Sequence, residues 1–217
     1  MVYVPLTLPD SLPESVRTAI RIGVEPQLQD VHSMLGTVIR SPTDDAPPRR
    51  LQQPIALVLL ATVAGISKIL FHLPTEFDQV RYKDRIQFVE CLKGYFPWDI
   101  DPPKGVFPEE AVEILYDVFR NPLVHALGFT KAGMPTVRIG QLFRGTDDPE
   151  NSIEALERLE EKPYTEPCLS VTQEESVLLV DPFYWGVRKL VERWSGDDTQ
   201  VLHAEGRLRK PASQSRA

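Results

Sequence analysis

Apolar residues recur at three- and four-residue spacing through most of the chain, the period of helices that bury one face. The pattern starts near Asp10 or Ser11 with Leu12, Val16, Ala19 and Ile20, and pauses at Gly23. A second helix is predicted after Pro26, with Leu28, Val31, Met34, Leu35 and Val38 as its stripe. The run from Ser41 to Arg50 carries three prolines and two aspartates, so it reads as a solvated connector closed by a surface pair, Arg49 and Arg50. Pro54 to Ile66 is a nearly unbroken apolar run. A bilayer crossing needs about 20 such residues, so this shorter run predicts the central helix of a bundle, with Ala61, Ala64 and Gly65 leaving room for a close neighbour.

A further helix is predicted from Thr75, a suitable N-cap, to Lys93, with Gly94 just past its end and Phe77, Val80, Ile86, Val89 and Leu92 on its inner face. Tyr95 to Phe107 combines aromatic anchors with prolines, the mark of an ordered loop packed on the bundle. Pro108-Glu109-Glu110 opens the next helix, which turns Val112, Leu115, Tyr116 and Phe119 inward and delivers Arg120 to its C-terminus.

After Gly128 the pattern changes. Thr136 to Phe143 reads as a short strand, Asp148 to Glu161 as a peripheral polar helix, and Leu169–Thr172 with Ser176–Val180 as a small hairpin. Asp181-Pro182 then starts the cleanest amphipathic helix, with Phe183, Tyr184, Val187, Leu190, Val191 and Trp194 on one face. From Ser195 onward the periodicity fades and basic residues gather, which predicts a flexible tail. The expected fold class is mainly α: a helical bundle over residues 1–130, an extension of short strands plus helices over 131–200 packed on it, and a flexible basic tail over 201–217.

Composition narrows the function classes. A hydrophobic content of 42% and a charged content of 25% are those of a globular protein, and the formal net charge of −7 is opposite to that of a broad nucleic-acid-binding surface. Any RNA contact is therefore local. Cys91 and Cys168 lack the short spacing of a metal or redox pair and read as reduced and structural. Asp99 and Asp101 lack a third ligand and a calcium-loop pattern, so no metal site and no cofactor is expected. His32 and His72 read as satisfied structural histidines. The first residues show no charged segment followed by a long apolar run, so the expected location is the cytoplasm, with no membrane partner. Phosphate-binding glycine loops, a His-Glu-x-x-His zinc motif and a serine nucleophile elbow are all missing from the sequence.

One polar cluster remains: Phe119-Arg120-Asn121-Pro122-Leu123-Val124-His125. Pro122 disfavours helical dihedrals at the residue before it and suits the first position of a helix. One helix is thus predicted to end at Arg120 and another to start at Pro122, with Asn121 as the N-cap accepting from the N–H of Leu123 or Val124. A helix N-terminus and a neighbouring guanidinium both disfavour added positive charge, which biases His125 toward a neutral, proton-accepting form. Arg81 and Arg85, four residues apart on a neighbouring helix, are candidate phosphate contacts, although the interleaved Asp78 and Asp84 also fit a plain solvated face.

Arg120-Asn121-x-x-x-His125, set at a helix junction in a helical chain, resembles the signature of the HEPN superfamily (higher eukaryotes and prokaryotes nucleotide-binding). The resemblance implies a helical bundle and a metal-independent endoribonuclease, often a toxin or defence protein, whose site is assembled across a homodimer. It also implies RNA as substrate and an antitoxin as a partner. His125 would be the base, Arg120 the stabiliser of charge on the phosphate and Asn121 the residue that orients them. Other members are inactive binding or scaffold proteins, so a catalytically silent module that binds nucleotide, RNA or a protein is the alternative. Leu127 stands where some toxin members carry a tyrosine that a partner antitoxin adenylylates. The same residues also fit a purely structural role, in which Asn121 and Pro122 cap a helix and His125 packs.

Overall fold

A computed structural model describes residues 2–39, 49–73, 82–125, 136–142, 157 and 164–209. They form a mainly helical bundle with a small three-stranded sheet at one side. The helices are α1 (Glu14–Gly23), α2 (Glu25–Leu35), α3 (Gln52–Ile69), α4 (Lys83–Tyr95), α5 (Pro108–Ile114), α6 (Asn121–His125), α7 (Val180–Ser195) and α8 (Asp198–Leu208). A π-helical turn, Leu115–Arg120, joins α5 to α6.

The apolar run read as a bundle centre is α3. Among the described residues it is the one helix long and apolar enough to cross a membrane. It lies instead against α2, α4 and α7, with Ile55, Ala56, Leu59, Leu60, Val63 and Ile66 buried. Burial of each such side chain contributes about 1.5–3 kcal/mol. One apolar core takes residues from both the expected bundle and the expected extension, because α7 is packed on nearly every side: Phe183, Tyr184, Trp185, Val187, Leu190, Val191 and Trp194 are all buried. Gly186 is required there. A Cβ at that position would come within 2.2 Å of the Phe96 ring, which seats the Tyr95–Phe107 loop on α7. Phe96 also packs at 4.3 Å on Trp98, whose indole N–H donates to the Leu92 carbonyl at 3.0 Å.

Strands β3 (Thr136–Gly140), β4 (Leu169–Val171) and β5 (Glu175–Leu179) make the sheet, in the order β3-β5-β4. The hairpin of β4 and β5 is antiparallel as the sequence predicts, and β3 joins β5 in parallel, with Thr136 opposite Glu175 and Gly140 opposite Leu179. Val137 and Ile139 point to the core while Thr136 and Arg138 face outward, the two-residue alternation of a half-buried strand. Two further two-residue strands, β1 (Val38–Ile39) and β2 (Arg49–Arg50), pair antiparallel at the ends of the connector. The surface pair Arg49 and Arg50 is thus part of a backbone ribbon.

Several boundaries differ from the sequence reading. α1 starts at Glu14, after Pro13, instead of near Asp10. α4 starts at Lys83 and runs through Gly94 to Tyr95; the expected cap Thr75 and the candidate Arg81 lie outside the described residues. Within the stretch read as a tail, Asp198–Leu208 form a helix, and residues 210–217 lie outside the described residues. Asp197 caps α8, its carboxylate accepting from the N–H groups of Thr199 (3.0 Å) and Gln200 (3.1 Å) and from the Tyr95 hydroxyl (2.5 Å). Val201 and Ala204 are buried, and Arg207 donates to the Leu70 carbonyl at 2.7 Å. The periodicity was there, diluted by Gly206 and by charged residues.

Tyr82, at the start of α4, has φ 72° and ψ 36° and is 70% exposed. An L-residue in the left-handed region is strained by roughly 1–2 kcal/mol, and glycine relieves that strain while adding entropy to the unfolded chain. Tyr82→Gly is therefore expected to stabilise the fold by about 0.5–1 kcal/mol in a denaturant titration. A loss of stability would show that the exposed ring is held by more than its backbone.

Candidate functional site

The polar cluster sits where α5, the π turn and α6 run on as one helical rod. Ala111, Val112, Leu115 and Phe119 anchor it in the core, and the Phe107 N–H donates to the Glu110 carboxylate at its start. The predicted break at Arg120 does not occur. Asn121 has φ −66° and ψ −47°, helical values, so it is not an N-cap. Pro122 lacks an N–H and its ring crowds the carbonyl four residues back, which an ordinary α-helix accommodates only by kinking. The rod instead widens by one residue per turn just before the proline, and the Asn121 N–H bonds to the Tyr116 carbonyl, five residues back.

This turn sets Arg120 and Asn121 against each other. Arg120 Nη1 donates to Asn121 Oδ1 at 2.9 Å, so the amide holds the guanidinium rather than the helix backbone. The guanidinium carbon lies 5.2 Å from the centroid of the Tyr116 ring, within cation–π range. Arg120 Nε is buried and has no hydrogen-bond partner among the described residues. Tyr116 is itself fixed edge-on against Phe88, with ring centroids 5.2 Å apart.

Arg85 approaches the same ring at 5.8 Å, which brings it into the neighbourhood of Arg120. Two of its nitrogens are engaged: Nη2 bonds to Asp117 Oδ2 at 2.8 Å and pairs with Glu113, and Nε bonds to Asp117 Oδ1 at 3.4 Å. The hydrogen bonds that Arg85 donates to Asp117 hold the guanidinium pKa above its ordinary value. Arg85 is thus tethered to two carboxylates beside Tyr116. His125 closes α6, and only its backbone falls within the description. Position 125 ends α6 one turn beyond Pro122, and Arg120 stands over Tyr116 on the flank toward α4.

The remaining candidates are structural. Asp99 forms a two-pronged pair with Arg193 at 2.7 and 3.0 Å, and the hydrogen bonds from Arg193 hold its carboxyl below the usual range. Asp101 is buried and accepts from the Cys168 N–H at 3.1 Å. Cys91 and Cys168 are buried and form no disulfide among the described residues, and burial pushes the Cys91 thiol up to about 12. Among the described residues no group of three or more histidine, cysteine or carboxylate side chains could hold a metal ion.

One polar constellation escaped the sequence reading. Glu157, in the stretch read as a peripheral helix, is buried and accepts from His32 Nδ1 (2.9 Å), from the Val4 N–H (2.8 Å) and from the Tyr184 hydroxyl. Arg188 lies 3.6 Å from the same carboxylate and donates to the carbonyls of Val4 (2.8 Å) and Pro5 (3.3 Å). These groups clamp the N-terminal segment to α2 and α7. Burial alone would raise the Glu157 pKa, but the hydrogen bonds from His32, Tyr184 and Val4 and the charge of Arg188 outweigh it and hold the carboxyl below its ordinary value. The one sequence signal was Arg188, a charge among the aromatic residues of α7.

Comparison of the chain with protein-family models, with curated proteins and with solved structures finds no match. What the cluster does is therefore read from its own side chains.

Proposed function

We propose that the chain is a metal-independent endoribonuclease of HEPN type, working in the cytoplasm as a homodimer, with a toxin or defence role and an antitoxin among its partners. The observation that carries this reading is the state of Arg120: a guanidinium held by an aromatic ring and an amide oxygen, with its Nε–H left unpaired among the described residues. A cation oriented without a carboxylate partner among the described residues suits an anion that arrives from outside, and the planar guanidinium edge matches two phosphate oxygens.

In this mechanism His125 takes the proton from a ribose 2′-hydroxyl. The 2′ oxygen attacks the adjacent phosphorus, the bond to the 5′ oxygen breaks, and the products are a 2′,3′-cyclic phosphate and a 5′-hydroxyl end once that oxygen is protonated. Arg120 stabilises the charge that grows on the phosphoryl oxygens, and Asn121 keeps the guanidinium in place.

A second reading, a silent module that binds RNA, nucleotide or protein, is favoured by the net charge of −7 and by the carboxylates that occupy Arg85. Incubation of wild type and His125→Ala with a mixed RNA pool in chelator separates the two. Wild type is expected to cut and leave cyclic phosphate ends, with the variant slower by about 10²- to 10⁴-fold and its circular dichroism unchanged. Cleavage that needs a divalent metal, or products without cyclic phosphate, would remove the nuclease reading. An intact RNA pool would favour the silent module.

A further inference from the structure

We propose that the hollow between the first turn of α3, strand β3 and the Pro122 flank of the rod is a base-binding subsite. It takes the base of the nucleotide whose 2′-hydroxyl is presented at position 125, and adenine matches it best. The proposal rests on the reading of residues 120–125 as an RNA-cutting site and assigns a part of the substrate which that reading leaves open.

The hollow measures about 330 Å³ and is walled by Gln52, Gln53, Pro54, Val137, Arg138 and Ile139. A smaller one of about 40 Å³ shares Gln53, Val137 and Ile139 and reaches Phe119 and Pro122, so the space extends to the polar cluster itself. Position 125 closes α6, one turn beyond Pro122.

The walls divide by chemistry. Val137 and Ile139, turned toward the core by strand alternation, and Pro54 supply the smaller, aliphatic part of a lining that is mainly polar. Gln52 and Gln53 sit on the rim, and among the described residues neither amide has a hydrogen-bond partner. A carboxamide presents a donor and an acceptor side by side, the complement of an adenine edge with its amino group beside a ring nitrogen. Unpaired bases in single-stranded RNA are recognised in this way, by edge hydrogen bonds plus contact with the ring faces. Arg138 points outward. Its Nε pairs with Glu175 at 3.2 Å while the side chain remains 64% exposed, which leaves donors for a neighbouring phosphate. Two amides with no partner among the described residues, a small aliphatic margin and a solvent-facing guanidinium, in a space that reaches Phe119 and Pro122, fit a nucleotide better than a purely apolar or purely anionic ligand.

Each of the four ribonucleoside 3′-monophosphates is titrated into the full-length protein labelled with ¹⁵N, and the glutamine side-chain amides are followed by NMR. With 3′-AMP the Gln52 and Gln53 signals are expected to move saturably, at lower concentration than with the other three. The Q52A/Q53A double variant, altered only at the rim, is expected to bind at least tenfold more weakly with an unchanged melting temperature. No saturable shift with any nucleotide, or equal affinity in the double variant, would overturn the subsite. A pyrimidine nucleotide bound more tightly than 3′-AMP would overturn the adenine assignment. The two readings fail separately: wild type that cuts RNA without these shifts removes the subsite alone, and wild type that binds 3′-AMP here and cuts nothing removes the nuclease alone.

Discussion

Arg188→Ala is expected to destabilise the protein by about 3–5 kcal/mol, the cost of leaving one member of a buried ion pair without its partner. Arg188 is 2% exposed and Glu157 6%, so water cannot replace the missing donors. The loss is compounded at the N-terminus, because the carbonyls of Val4 and Pro5 lose the guanidinium that holds them. Against a typical total of about 5–15 kcal/mol, such a change would leave a visible unfolded fraction at 37 °C. Urea titration measures it, with an unchanged slope showing that the same surface is exposed. The variant E157Q/R188M is expected to cost less than the sum of its single changes, since the two side chains act on one another. A loss below about 1 kcal/mol in Arg188→Ala would mean that the clamp does not stabilise the fold, since breaking a buried pair costs several times that.

The same clamp sets an acid limit. The folded-state pKa of Glu157 is held below the ordinary glutamate value of 4.5 by the hydrogen bonds it accepts. A carboxyl depressed by folding contributes its full stability above the unfolded pKa and loses it as the pH falls through the folded one. Stability is thus expected to be flat in this contribution above about pH 5 and to decline below pH 4.5, and the decline should be shallower in Glu157→Gln, which cannot titrate there.

Arg120→Lys is expected to lower the RNA-cutting kcat by about 10²- to 10³-fold, the usual loss when one preorganised donor to a developing oxyanion is removed. Charge is conserved in this variant, so the loss would come from geometry. An ammonium cannot stack on the Tyr116 ring and bond to Asn121 Oδ1 while presenting a flat edge to phosphate. Tyr116 acts here as a positioning residue. Tyr116→Phe keeps the ring and is expected to keep kcat, whereas Tyr116→Leu removes a cation–π contact of about 1 kcal/mol and should lower kcat roughly tenfold, with the fold unchanged by circular dichroism. Equal activity in the leucine and phenylalanine variants would show that the ring does not position Arg120.

Much of the helical framework was legible from periodicity alone. The runs that became α2, α3 and α7 have apolar stripes long enough to outweigh local signals, and the strands around residues 136–140 and 169–179 showed the two-residue alternation of half-buried sheet. Helix ends were less legible, because a cap is a choice among several local hydrogen bonds that packing decides. Gly94 suits a helix end, yet α4 continues through it to Tyr95 and gives way at Phe96, whose ring is drawn onto Gly186 of α7. Asp197 is a good cap, yet the charged residues after it hid the Val201 and Ala204 face that docks α8.

The candidate site divides in the same way. Sequence by itself determined which chemistry is present: one arginine, one asparagine and one histidine at fixed spacing around a proline, in a chain otherwise poor in catalytic patterns. Tertiary structure decided what those groups are set against. Pro122 was expected to break the helix and instead follows a π turn, since the core contacts of Phe119 and Leu123 on either side hold the rod together. Arg85 was a candidate for phosphate and is held by Glu113 and Asp117, carboxylates 28 and 32 residues away that only folding brings near. Glu157, Arg188 and His32 are separated by up to 156 residues (188 − 32) and form one buried cluster. Periodicity records whether a residue faces inward; which distant partner waits there depends on how the helices pack, and a linear sequence carries that only through the whole fold.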